Sequence, residues 1–424
     1  MSRFKIALLL AAVATLHATP AMATLIMTGE LSKLTVFGDT YVTTGANTTV
    51  HGNVTAFGVA TTGAGSAVKG NVVAGGAANI GASIVGGDQT LVSVSGYILS
   101  GDVATTGDGS IVKGNITASG AANVGANAKL NGNLVSGDVG TSGAGSVIAG
   151  SFVSLGAGTI GANARLGGDL TAGGIATTGA GSAISGRLLA GDTAVLGVGS
   201  TIVGTVSAAN PIGIQLRTTT SLVPPSLTAT IRADVLSLVR TIADEVLGAQ
   251  QALAALGAGT RMSTPVIGNM TLKPGVYSAP SLSTTASTSL TLDAMGLDNQ
   301  IWVFNIADIL SFGASWDVNI IHPGLNNLVF WNVTDGYASV GAGSAVLGTI
   351  FAKDYISIGA GATVTAGSLG CSGVYSQSSY VSTGDGAVVG GGGCAVPEPG
   401  SGSMVLLGLA LLACVIGAKK YRSA

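Results

Sequence analysis

The sequence predicts an all-β-dominated fold: a right-handed parallel β-helix of 18-residue coils with one long α-helix packed alongside. Three observations carry this expectation. A phrase such as "GNVTAFGVATTGAGSAVK" (52–69) recurs, with variations, through eight consecutive coils. Within the unit, apolar residues keep alternating places instead of helical ones. One later stretch alone breaks this pattern with an apolar stripe of 3.6-residue period.

In chain order, the first element is an address. Arg3 and Lys5 precede an apolar run from Ile6 to Leu16, and Ala21-Met22-Ala23 offers a small-residue cleavage site, the layout of a secretory signal peptide over 1–23. Export implies an oxidising compartment. Of the three cysteines, Cys414 lies in an apolar tail, which leaves Cys371 and Cys394 as a candidate disulfide pair or as two free thiols. Spacing alone does not decide between them.

The first coils of the β-helix occupy 24–213, and the repeat array proper 52–203. Aligned on Gly52, Gly70, Gly96, Gly114, Gly132, Gly150, Gly168 and Gly186, each step is 18 residues apart from an eight-residue insert, Asp88 to Ser95. Units this short cannot bury a face alone and must stack. Position 3 is always apolar (Val54 through Leu188), position 17 is apolar in seven of eight coils, and position 12 is always Gly. A corner needing positive φ or close backbone approach explains that Gly. Period-2 alternation turns positions 3, 5, 9, 11, 15 and 17 inward and 4, 10 and 16 outward. Gly makes up 68 of 424 residues, too dense for helices.

Position 10 is the one nearly uniform polar column: Thr61, Asn79, Thr105, Asn123, Thr141, Thr159 and Thr177, then Val195. Two readings are open. These residues are strand and turn formers, or an internal ladder that satisfies itself; alternatively they form a flat external row of hydroxyls and methyls. Position 11 alternates hydroxyl with aliphatic (Thr62, Ile80, Thr106, Val124, Ser142, Ile160), so the larger repeat is a pair of coils.

A linker and helix follow at 214–257. Ile231, Val235, Leu238, Ile242, Val246, Ala249 and Leu253 fall on one helical stripe, with Arg232, Asp234, Arg240, Asp244 and Glu245 on the polar side and Gly257 as a stop. Only the side of the solenoid is available to cover that stripe. Strand signals resume over 258–394, in "MTLKPGVYSA", "QIWVFNIADIL" and "LVFWNVTDG".

At 395–424, Val396-Pro397-Glu398-Pro399 precedes an uncharged 15-residue run and the basic Lys419, Lys420 and Arg422. A spanning helix wants about 20 apolar residues, so the run is marginal. The three-part order resembles the PEP-CTERM sorting signal of Gram-negative bacteria. The resemblance implies handling by an exosortase at the inner membrane, with a transient or permanent anchor there and a body at the cell surface or secreted. A plain C-terminal anchor is the alternative.

Leu272-Lys273-Pro274-Gly275-Val276-Tyr277, Trp302-Val303-Phe304-Asn305-Ile306, Val329-Phe330-Trp331-Asn332-Val333 and Leu347-Gly348-Thr349-Ile350-Phe351-Ala352 resemble the bacterial ice-binding-like (antifreeze) β-solenoid family, and 34–54 looks like that family's first coil. The resemblance implies opening strands, a helix docked on one side, then the remaining coils. Residues 55–203 depart from it as extra coils, closer to a bactofilin-type polymer repeat.

Chemistry is sparse. His17, His51 and His322 are scattered, and no nucleophile elbow, zinc spacing or phosphate loop occurs. Asp102, Asp138 and Asp192 at position 7 suggest turn caps more than calcium ligands, because the calcium-binding nonapeptide is missing. No catalytic residue, cofactor or metal is expected. Without the two terminal segments the body has 12 Lys+Arg against 18 Asp+Glu and no basic run, which argues against nucleic acid. The expected role is therefore non-catalytic: adsorption to ice or ordered water through a hydroxyl- and methyl-bearing face, with the position-10 residues as candidate contacts. The alternative is a structural or adhesive solenoid of the exopolysaccharide matrix.

Overall fold

The computed structural model describes residues 26–27, 29–83, 93–208, 226–262, 266–366 and 372–391. Residues 1–23, expected to be a signal peptide, together with Cys371, Cys394 and the tail from 395, lie outside the described residues. Each array coil makes three short strands, such as Val54 to Ala56, Ala60 to Thr62 and Ala67-Val68, whose residues recur one coil later in register. All pairing is parallel. The first sheet has 16 strands and the second 15; the third runs in segments of 6 and 8 strands, linked by Val94 between Val68 and Val112. Val94 thus fills position 17 of its rung. The eight extra residues come before it, not up to Ser95 as the alignment alone suggested.

The predicted facing holds. Positions 3, 5, 9, 11, 15 and 17 are buried, as in Leu134, Ser136, Gly140, Ser142, Ser146 and Ile148, while Val135, Thr141 and Val147 are not. The position-12 glycines are explained by close approach, not by positive φ. A Cβ on Gly161 would lie 2.5 Å from the carbonyl carbon of Gly143 below it, and one on Gly81 equally close to that of Gly63. Positive φ belongs to position 14, where Gly109, Asn127, Gly145, Asn163 and Gly181 alternate. Along the edge at position 2, Asn115 and Asn133 each accept the main-chain N–H of the next coil at 2.8 Å.

The stack does not follow chain order. The first coil (Leu34–Gly38, Tyr41–Thr44, Thr49–His51) sits in the middle. The array grows away from one side of it, through Val54 and Val72 to Val206. On its other side lies the last stretch of the domain, with Val36 opposite Val374, Val42 opposite Val381 and Val50 opposite Val389. The array therefore lengthens one end of the stack and leaves the join between first and last coils intact.

In the second half the 18-residue step survives where Ala338 faces Ile356 and Ala345 faces Thr363, but not throughout. Gly275 faces Trp302 and Ile301 faces Leu328, steps of 27 residues. The longer strands Ile301–Ile306 and Leu328–Val333 hold an aromatic interior: Phe304 stacks on Trp331 at 4.2 Å and Phe312 on Trp316 at 4.5 Å. The array is cored instead by small aliphatic residues with a single ring, Phe152.

The helix, Ser226–Ala254, runs along the outside of the first sheet. Ile231, Val235, Val239, Ile242, Val246, Ala249 and Leu253 are buried against Phe37, Val73, Phe330 and Phe351. Val239, not Leu238, centres that turn. Polar anchors fix its position: Thr228 Oγ1 donates to the Gly137 carbonyl, Glu245 accepts the Leu31 N–H at 2.7 Å, and Asn305 Nδ2 donates to the Leu253 carbonyl.

Candidate functional site

Among the described residues, one face runs the length of the stack without any element packed over it. On the second sheet the central residue of each strand points out between two buried neighbours, and these central residues line up. Thr61 lies against Asn79, Asn79 against Thr105, Thr105 against Asn123, and so on through Thr141, Thr159 and Thr177 to Val195. The structure therefore brings all seven predicted residues into one external line. Thr141 Oγ1 donates to Asn123 Oδ1 at 2.6 Å within it.

An internal polar ladder does exist, but at position 11, and it is not fully satisfied: the buried hydroxyls of Ser110, Ser146 and Ser182 in the same coils have no hydrogen-bond partner among the described residues. Thr62, Thr106 and Thr178 hydroxyls accept the N–H of the corner glycine one coil on, at 3.1 to 3.2 Å. The hydroxyl coils, that of Ser142 included, carry Ser66, Ser110, Ser146 or Ser182 at position 15, where the aliphatic coils carry Ala128 or Ala164. That is the physical content of the two-coil repeat.

The sequence reading stopped the line at Thr61. In the stack it continues through Thr43, Ser382, Ser357, Ser339, Ser311 and Ser283, and ends on Val266. Thirteen small polar residues thus stand in succession, with a valine closing each end. At about 4.8 Å per rung the row is roughly 58 Å long.

Two further lines flank it. On one side stand Tyr337, Tyr355, Tyr380 and Tyr41, ring on ring at 4.6 to 5.2 Å, followed by Val59, Ala77, Val103, Ala121, Val139, Ala157 and Ile175. Burial first, then the neighbouring rings, pushes the Tyr355 and Tyr41 hydroxyls above their ordinary pKa. On the other side the corner residues are Ala286, Ala314, Ala342, Ala360, Ala46, Ala64, Ala82, Ala126, Ala144, Ala162 and Ala180, interrupted by Asp385 and Asp108. Both aspartates accept the next coil's alanine N–H, at 2.9 and 2.8 Å. Hydroxyls between two lines of methyls and ring edges make a regular, nearly uncharged face. The other two faces differ: the helix covers much of the first sheet, and the third carries exposed Lys129 and Arg165.

Titratable groups do not converge. Among the described residues no three His, Cys, Asp or Glu side chains could hold a metal together. His322 Nδ1 meets Asp293 at 2.9 Å, and this bond, with the Met295 N–H, holds the Asp293 carboxyl below its usual range. His51 sits four rungs away, with its pKa lowered by burial and then by Lys69. Asp102, Asp138 and Asp192 stand exposed at their turns.

Comparison with known proteins places this face in context. Residues 174–381 match the family model described as ice-binding-like, and residues 395–422 match the PEP-CTERM protein-sorting motif. Ice-binding protein 1 of Shewanella frigidimarina (strain NCIMB 400) is 30% identical over 109 residues, 26% of this chain and 12% of that protein. An ice-binding protein of Colwellia sp is 31% identical over 105 residues, 25% of this chain and 40% of that protein. The chain thus spans well under half the length of these curated relatives. Among solved structures, a domain of Shewanella frigidimarina ice-binding protein 1 is 22% identical with a TM-score of 0.33, covering 54% of this chain and 94% of that one. An ice-binding protein from Antarctomyces psychrotrophicus is 22% identical with a TM-score of 0.31, covering 52% and 92%.

Proposed function

From a chain that carries an ice-binding-like domain and its own PEP-CTERM sorting motif, we propose an exported, non-catalytic protein that adsorbs to ice through the outer face of the second sheet. The observation that carries this reading is the thirteen-residue row of Ser, Thr and Asn between methyl-rich lines, continuous across array and C-terminal coils. The row's hydroxyls hydrogen-bond water at a fixed repeat, while the flanking methyls hold water off the surface without competing donors. The ladder of main-chain bonds makes the surface rigid, so little conformational entropy remains to be lost on adsorption. We infer that residues 1–23 direct export and that an exosortase handles the tail, leaving the solenoid at the cell surface or free outside the cell.

The test is ice-crystal morphology and thermal hysteresis of the purified chain. Faceted crystals and a hysteresis gap are expected. Thr141→Lys, in the middle of the row, should remove most of the gap, whereas Val147→Lys on the third sheet should leave it unchanged. Ordinary disc-shaped growth at high protein concentration, or equal loss from both substitutions, would overturn the assignment. Retention on exopolysaccharide without any effect on ice would favour the matrix role instead.

A further inference from the structure

The charges of the array are segregated around its cross-section. Val68, Val94 and Val112 mark successive rungs of the third sheet. The residues after them, Lys69, Ser95 and Lys113, therefore follow one another at the corner that leads into the first sheet. Lys129, Val147 and Arg165 succeed one another on the third sheet itself. Arg187 stands at the same corner, just before the first-sheet strand Leu188–Ala190. These five are all the Lys and Arg of residues 52–208. Asp102, Asp138 and Asp192 lie at another corner, between the first and second sheets, and Asp108 follows the second. The sequence holds no basic run; stacking assembles this line.

Lys69, Lys113, Lys129 and Arg165 are exposed, and none has an acidic partner among the described residues. The two acids that reach this corner are already held, Asp169 by Arg187 at 2.7 Å and Glu30, beside Tyr97, by Lys33 at 3.0 Å. Residues 84–92, outside the described residues, add one acid, Asp88. Between the cations the corner offers donors. In Lys69-Gly70-Asn71 and Lys113-Gly114-Asn115 an asparagine follows each lysine. Asn71 Oδ1 accepts the Tyr97 N–H at 3.0 Å and Asn115 Oδ1 the Asn133 N–H at 2.8 Å. With these carbonyls committed to the main chain, the amide N–H groups are what a partner meets. Cations beside N–H donors select an anion.

Spacing narrows the class. Lys69 and Lys113 are two rungs apart, and so are Lys129 and Arg165, a step of about 10 Å. A nucleic-acid strand carries a charge every ~3.4 Å, which would leave most phosphates unmatched here. A polymer whose carboxylates are separated by neutral, hydroxyl-bearing units fits cations separated by amides. We propose that this corner and the adjoining third-sheet face bind an acidic polysaccharide laid along the stack. The proposal does not rest on ice adsorption, which concerns the second sheet, and one molecule can hold glycan and ice at once.

Retention of the full chain on immobilised alginate, in non-ionic detergent and calcium-free buffer, tests this against dextran and single-stranded DNA. Alginate binding should exceed both and weaken several-fold between about 50 and 200 mM salt. Lys113→Glu combined with Lys129→Glu should lower the affinity about tenfold. Lys113→Arg combined with Lys129→Arg should keep it. Arg261→Glu with Lys273→Glu makes the same change of charge at the far end of the stack and should not alter it. All four side chains are exposed, so unfolding midpoints should stay where they are. No retention on alginate would overturn the proposal, as would equal loss from the two charge-reversed pairs or binding to dextran or DNA as tight as to alginate.

Discussion

At the scale of single residues, the repeat is finer than its consensus. Phe152 is the only ring in the array core, and the rung beside it gives up a methyl: position 9, elsewhere mostly alanine, is Gly at 140. A Cβ there would lie 2.2 Å from the Phe152 ring. Gly140→Ala should therefore cost about 1–3 kcal/mol through overpacking, measured by denaturant unfolding. In the background of Phe152→Leu the same methyl should cost much less, and a double-mutant cycle would return that coupling directly. Gly248, on the outer side of the helix with open space around it, should behave oppositely, Gly248→Ala gaining up to about 1 kcal/mol. The sequence displayed Gly140 and Phe152 plainly, but not as partners, because they occupy different positions of successive coils. The glycine corners were equally visible. Which of the two reasons for glycine applied at position 12 was settled only by the 2.5 Å approach of the corner below.

Elements were legible where a period exists and illegible where none does. Strand facing followed from alternation, and helix identity from its stripe. The choice of Val239 over the adjacent Leu238 depends on which lies over the sheet, and the partner strands fix that. Leu253, fully buried at the end of the stripe, should lose about 2–5 kcal/mol on replacement by Ala. The coil pair is the unit of the array because hydroxyl and aliphatic rungs fill the interior alternately. Deleting 150–185 removes two coils lying beyond the helix. It sets Ser142 beneath the corner N–H of Gly197, the place Thr178 now holds, so this variant should melt close to the parent. Deleting 150–167 alone removes less but stacks Ser142 under Thr178 and Ser146 under Ser182, leaving the volume of Ile160 empty. Its melting temperature should fall further, which calorimetry on the two variants would compare.

For the whole molecule, the surface row shows what a linear reading misses. Residues 34–51 carry nothing that announces 372–391 as their neighbours, since main-chain pairing is blind to sequence distance, and the varied coil lengths of the second half hide its serines from any fixed period. Five serines and Thr43 thus escaped notice although each is an ordinary outward strand residue, and the tyrosine line escaped because Tyr380 and Tyr41 meet only across the join. If the row acts as a single face, its two halves contribute together. Thr61→Lys and Ser339→Lys each interrupt it on opposite sides of that join, four rungs apart. Each should lower thermal hysteresis partially, and the pair together should lower it more than either alone, with circular dichroism and melting unchanged because both positions face solvent. Were the array only a spacer carrying a C-terminal face, Thr61→Lys would be silent and Ser339→Lys would account for the whole loss. The measured ratio of the two single effects therefore reports how far along the solenoid ice is touched.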